Sequence, residues 1–196
     1  GKTTALRILL GIIEPSSGTR RVLGRERPLD AAPKVGYLPE ERGLYPKMRV
    51  RDHLIFLAEL HGVHRSDAKR RAERWLADTE AADWAQRRVD ELSKGQQQTV
   101  QLIGALIHDP TFVILDEPFS GLDPVNAGRL RDVVKRLASE GVTILLSTHR
   151  MDQVEKLCDA ICLVSKGHNV VQGSLRDVKA QFGIHAVNVL LEDGLD

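Results

Sequence analysis

Phe112-Val113-Ile114-Leu115-Asp116-Glu117 is a short apolar run that ends in two adjacent acids. Consecutive apolar residues without polar alternation predict a strand covered on both faces, as in the middle of a parallel sheet. Asp116 and Glu117 then stand at the carboxyl edge of that sheet, where ligands collect in layered α/β folds. Carboxylates left unpaired at the end of a buried strand are expensive, so a cation partner is expected. Downstream, Asp123-Pro124 predicts a helix start: a carboxylate cap, then a proline whose missing N–H costs nothing there. That helix turns Leu130, Val133, Val134 and Leu137 to one side, Gly141 ends it, and Val142–Leu146 reads as a second buried strand. Met151–Leu157 reads as a helix. Ile161–Val164 and Val170–Gln172 read as a strand pair, followed by a helix over 174–181 and a strand-like alternation at Val187–Leu191.

Upstream of the acids, Ala5, Leu6, Leu9 and Leu10 give residues 2–10 one apolar helical face. Short strands are expected at Arg20–Leu23 and Lys34–Leu38, the second stopped by Pro39, which has no ladder donor. Helices follow from Val50 to His61 and over 67–77, the latter with Ala68, Ala72, Trp75 and Leu76 inward. A long helix then runs through Ile107. Ser93 and Gln96 have the spacing of a capping box at its start. The sequence therefore predicts an α/β fold with a largely parallel central sheet and an arginine-rich helical insert over about 40–95.

Composition narrows the function. In 196 residues, 42% are hydrophobic and 28% charged, which excludes a disordered polyelectrolyte. The 28 basic and 27 acidic residues leave a net charge of +1, so no overall field favours nucleic acid. Cys158 and Cys162 are the only cysteines, too few for a disulfide framework or a thiol zinc site. No apolar run approaches the roughly 20 residues that span a bilayer.

Gly1-Lys2-Thr3-Thr4 matches the second half of the phosphate-binding loop GxxxxGK[ST]. The glycine allows close backbone approach, and the following amides open a helix N-terminus toward negative charge. Lys2 would reach the β- and γ-phosphates and the Thr3 hydroxyl would hold Mg²⁺. Asp116 would orient the metal, and Glu117 would act as general base on water. Nothing precedes the half-loop, so the chain reads as truncated there, with N-terminal strands missing and weak ATP binding expected of this chain by itself.

Leu92-Ser93-Lys94-Gly95-Gln96 resembles the signature motif of ATP-binding cassette (ABC) ATPases, whose common form is LSGGQ. It lies 20 residues before the acid-terminated strand ends. Ser120-Gly121-Leu122-Asp123 resembles that family's D-loop, Ser147-Thr148-His149 its switch histidine, and Gly36-Tyr37-Leu38-Pro39-Glu40 occupies its Q-loop position. The stretch from Tyr37 to Pro46 and the LSKGQQQ form resemble bacterial sodium-extrusion and drug exporters. The resemblance implies a P-loop NTPase three-layer fold over residues 1–175, with 176–196 beginning a C-terminal accessory domain. It implies ATP and Mg²⁺ as cofactors and a head-to-tail dimer with a second ATPase domain. Gly1, Lys2, Thr3, Thr4, Ser93, Gly95, Gln96 and Asp123 would contact nucleotide, while Thr3, Asp116 and Glu40 would handle the metal. Catalysis would fall to Glu117, His149 and Glu40. A transmembrane permease would be the partner, at the cytoplasmic face of the bacterial plasma membrane, and the work would be efflux of an ion or drug-like solute.

Two departures stand out. Glu40 replaces the usual Q-loop glutamine, giving up an amide donor for a stronger metal ligand. Lys94 replaces a signature glycine and puts a cation where a γ-phosphate would lie. The competing readings are a DNA-acting or translation-associated cassette and an inactive interaction module. Lys2 and Leu92 stand 90 positions apart with no sustained heptads between them, against the first of these; one near-neutral cassette gives no sign of RNA binding; intact Glu117 and His149 argue against inactivity. His53, His61, His64 and His108 are expected on the surface or on helix faces, the arginines of 65–88 on a solvated face or a partner surface, Trp75 and Trp84 in the core, and both cysteines buried.

Overall fold

The computed structural model describes residues 1–41 and 43–182. The described residues divide into two compact units after Leu157. In the first, α1 (Lys2–Leu9) is followed by a single turn of helix, α2 (Pro28–Ala31), and strand β1 (Val35–Leu38). The insert comprises α3 (Val50–Leu60) and α4 (Arg65–Asp78) and leads into α5 (Lys94–Leu106). Strand β2 (Phe112–Asp116), α6 (Pro124–Ser139), β3 (Thr143–Ser147) and α7 (Met151–Leu157) complete the unit.

The three strands form one parallel sheet in the order β1-β2-β3, with Leu38 paired to Leu115 and Asp116 to Ser147. Alternation along β2 divides the core. Val113 and Leu115 join a large cluster with α3, α4, α5 and α6, while Ile114 packs with Leu6, Val22 and Val35 on the α1 side. The result is the expected three-layer P-loop NTPase arrangement with a helical insert. Close packing of α5 on β1 depends on Gly36, where a Cβ would sit 2.3 Å from the Ala105 carbonyl oxygen.

The described part of the second unit is an antiparallel pair, β4 (Ala160–Ser165) and β5 (His168–Ser174), followed by α8 (Leu175–Phe182). The expected strand Val187–Leu191, and the rest of the expected accessory segment beyond residue 182, lie outside the described residues.

Several local expectations change. Arg20–Leu23 forms no strand: Leu23 and Gly24 both take positive φ, and the turn leaves a single bridge between Val22 and Arg25. Strand β3 is half-buried rather than buried, since it borders the sheet with a neighbour on one side only among the described residues. His53 lies on a helix face, as one of the two expectations had it, but that face of α3 is buried; His108, just beyond α5, is buried as well. Cys158 is half-buried and Cys162 exposed, where both were expected buried.

Candidate active site

Lys2 opens α1, and its Nζ donates to Glu117 Oε1 at 3.0 Å across 115 residues of sequence. Leu6 of α1 packs with Ile114 of β2, which sets the start of α1 beside that strand, and the strand register adds the segment after β3. Asp116 ends β2 opposite Ser147, which ends β3, so the residues after both strands emerge side by side. Glu117 leaves the strand with φ +47, and its N–H donates to the Ser147 carbonyl at 2.8 Å. That left-handed conformation is costly for a residue with a Cβ and persists only where the surroundings hold it.

The Glu117 carboxylate is the hub. His149 Nδ1 lies 2.9 Å from Oε1, and Thr148 Oγ1 donates to Oε2 at 3.3 Å. An ionised carboxylate only accepts, so Nδ1 carries the proton in this contact. Burial pushes the Glu117 carboxyl upward, but the bonds from His149 and Lys2 outweigh it and hold the group below the usual glutamate range. Glu117 is therefore ionised at neutral pH.

Asp116 differs. It is fully buried, and neither carboxylate oxygen has a hydrogen-bond partner; the buried Ser147 Oγ beside it also lacks one. An unpartnered buried carboxylate is the arrangement that a divalent cation relieves. Among the described residues no cluster of three or more His, Cys, Asp or Glu side chains could hold a metal unaided. A cation here would therefore take other ligands, such as water, the Thr3 hydroxyl or phosphate oxygens. Thr3 is half-buried on the first turn of α1, Thr4 and Gly1 are exposed, and Gly1 caps α1 with backbone only. This donor set suits Mg²⁺ with a polyphosphate.

Glu40 is exposed, two residues beyond β1. Its flanks are pinned by Gln101, whose Nε2 donates to the Pro39 and Glu41 carbonyls at 3.3 and 3.1 Å. The capping box at α5 forms as expected: Ser93 Oγ accepts from Gln96 N–H at 3.3 Å, and Gln96 Oε1 accepts from Ser93 N–H at 2.9 Å. Ser93 remains exposed, while Gly95 is buried against the start of α6. There Asp123 Oδ1 accepts from the N–H groups of Val125 and Asn126, both at 3.0 Å, and Oδ2 accepts from Asn126 Nδ2. These bonds, led by the Asn126 N–H, lower the Asp123 carboxyl below its ordinary range.

Lys2, Glu117 and His149 thus converge, with Asp116 at the base of the same turn. Gly95 and Asp123 meet at a second point, through Asn126. Sequence reasoning missed Thr148 as a donor to Glu117, Ser147 beside Asp116, and the amides of Gln98, Gln101 and Asn126. The polar run Ser147-Thr148-His149 after an apolar strand was the available signal for the first two.

The family described as ABC transporter matches residues 1–120. The "Uncharacterized ABC transporter ATP-binding protein YhaQ" of Bacillus subtilis (strain 168) is 47% identical over 195 residues, covering 100% of this chain and 65% of that protein. The chain thus spans just under two thirds of that relative's length. The "Nod factor export ATP-binding protein I" of Paraburkholderia xenovorans (strain LB400) is 35% identical over 177 residues, 89% of this chain and 58% of the relative. A solved "Structure of ATP binding subunit of ABC transporter" superposes with a TM-score of 0.83 at 30% identity, covering 93% of this chain and 78% of that one. The chain belongs to the ABC transporter family, as an ATP-binding domain of the P-loop NTPase superfamily.

Proposed function

We propose that this domain binds ATP with Mg²⁺, hydrolyses it, and powers an export complex through a separate membrane subunit. The observation that carries the reading is the convergence of Lys2 and His149 on one oxygen of Glu117, at 3.0 and 2.9 Å, beside the unpartnered Asp116. Lys2 and the amides that open α1 would hold the β- and γ-phosphates, and Thr3, Asp116 and Glu40 would hold Mg²⁺. The metal, when bound, neutralises phosphate charge. Glu117, ionised and oriented by Thr148 and His149, accepts a proton from water at one of its oxygens. His149, its side chain 73% exposed, would exchange its bond to Glu117 for one to a γ-phosphate when nucleotide binds.

The partner in hydrolysis is a second copy or a homologous domain, arranged head to tail. Support comes from Ser93, which is exposed at a capped helix start with its hydroxyl available as a donor, and from Gln96, which fixes that cap. The permease would dock on the cleft of about 350 Å³ between the insert and the sheet layer, lined by Leu9, Tyr37, Leu44, His53, Leu57 and His61 among others. No described helix is long and apolar enough to cross a membrane, which fits a separate membrane subunit and a peripheral place at the cytoplasmic face. Export of an ion or drug-like solute rests on the motif resemblance and on relatives such as the Nod factor export protein.

The test is Glu117→Gln in the full-length protein. Bound MgATP and a trapped dimer with turnover lost at least a hundredfold is the expected result, in line with removal of a general base. Near-normal hydrolysis would overturn the base assignment. Direction is read from solute movement in inverted membrane vesicles carrying the permease: accumulation supports export, and loss of preloaded solute refutes it.

A further inference from the structure

The buried amide of Gln98 is not used by the chemistry above. Gln98 lies on α5, one turn beyond Ser93, is 5% exposed, and donates from Nε2 to the Pro118 carbonyl at 3.2 Å. Pro118 directly follows Glu117. The Glu117 backbone sits in a left-handed conformation, so its orientation depends on the bonds around it. Two come from its own neighbourhood: its N–H donates to the Ser147 carbonyl and its carbonyl accepts from the Ser120 N–H. Gln98 supplies a third restraint, and this one comes from the helix that carries Ser93.

A second contact reinforces it. At Gly95 a Cβ would lie 2.9 Å from Asn126 Nδ2 and 3.7 Å from Asp123 Oδ2, so α5 also rests on the cap of α6. The segment Glu117–Asp123 is therefore held by α5 at both ends: Gln98 at its start, Gly95 at its finish.

We propose that Gln98 is a positioning residue that fixes the turn bearing Glu117 to the serine-capped helix α5. A shift of α5 then moves the base of the chain's own site. This rests on the ATPase reading above, in which Ser93 serves the nucleotide held by the partner domain. Engagement of Ser93 at one site would thereby be transmitted, by one hydrogen bond, to Glu117 at the other.

The experiment compares Gln98→Met and Gln98→Leu with wild type in the full-length protein. Methionine keeps the length and removes the donor; leucine removes it with a more compact apolar side chain. A misplacement of the base at ångström scale predicts a fall in kcat on the order of tenfold to a hundredfold, with KM for ATP within about twofold. Affinity for a non-hydrolysable ATP analogue should be unchanged, since Lys2 and Thr3 are untouched. Should methionine prevent folding, the same split in the leucine variant decides. Unchanged kcat in the folded variants, or equal losses in kcat and analogue affinity, overturns the proposal. Glu117→Gln run alongside separates the two readings: if it stays active, the base assignment itself has failed; if it is dead while both Gln98 variants match wild type, only the positioning role has.

Discussion

Replacing Asp116 with asparagine should make the nucleotide-free protein more stable while removing its response to magnesium. The carboxylate is fully buried at the end of β2 with both oxygens unpartnered, and Ser147 Oγ beside it makes no compensating bond. An asparagine of the same shape would still bury an amide, but it would no longer bury a charge. Unpaired ions are more costly in such places than unpaired amides, by about 2 kcal/mol as a working difference. For a protein of this size that corresponds to a rise in Tm on the order of 5 °C. The assay is thermal and urea unfolding of the full-length wild type and Asp116→Asn, in EDTA and then with saturating MgATP. In EDTA the variant should unfold later. With MgATP the order should reverse, because ligand that binds only the folded state stabilises wild type in proportion to its affinity. A variant no more stable than wild type in EDTA would refute the claim that Asp116 is an uncompensated charge awaiting a cation.

Two further outcomes follow from the core. Burial lowers the His53 imidazole to about 4, and burial first of all lowers His108 similarly. The folded chain thus holds both neutral, the unfolded chain takes up protons first, and stability present above about pH 6.5 is lost as pH falls toward 4. Between pH 7 and 5 the His53 share is about 2 kcal/mol, so urea titrations of His53→Leu should show that much less acid sensitivity; an unchanged slope refutes it. Gly36→Ala would set a Cβ 2.3 Å from the Ala105 backbone oxygen, which no side-chain rotation relieves. It should cost about 3 kcal/mol in urea unfolding, and a loss under 1 kcal/mol would show that α5 shifts freely on β1.

The parts of the fold written in local patterns were legible. A continuous apolar run ending in Asp116-Glu117, the Ser93–Gln96 box and the Asp123-Pro124 start each encode one element through short-range physics, and each forms. The contacts of Thr148 and His149 with Glu117 were foreseeable as a site but not as bonds, since the register of β2 with β3 decides which side chains emerge together. Burial of His53 had a readable cue that was passed over: it lies three residues after Val50 and four before Leu57, on the apolar face of α3. The amides of Gln98 and Gln101 had none. A glutamine on a helix is ordinarily solvated, and only the tertiary approach of Pro118 and Pro39 gives these two an acceptor. The Arg20–Leu23 stretch failed for a local reason, because a turn at Leu23-Gly24 reverses the chain before a ladder can extend.

The ion pair between Lys2 and Glu117 admits two interpretations that one variant separates. Either the amine is a structural brace, or it rests on Glu117 until a more strongly charged partner arrives. Its side chain is 39% exposed while that of Glu117 is 10% exposed. A pair half open to water is worth at most about 1 kcal/mol. Glu117 also keeps donors in Thr148 and His149 if the amine leaves. A triphosphate offers several negative oxygens to the same amine, a stronger attraction than one carboxylate already shared with an imidazole. Lys2→Met, which keeps the aliphatic stem, should therefore lower the Tm of the nucleotide-free protein by no more than about 3 °C yet abolish most of the stabilisation by MgATP. The brace interpretation predicts the reverse pattern, a large loss of stability with ATP affinity retained. Thermal shift with and without MgATP, on one preparation of each protein, decides between them.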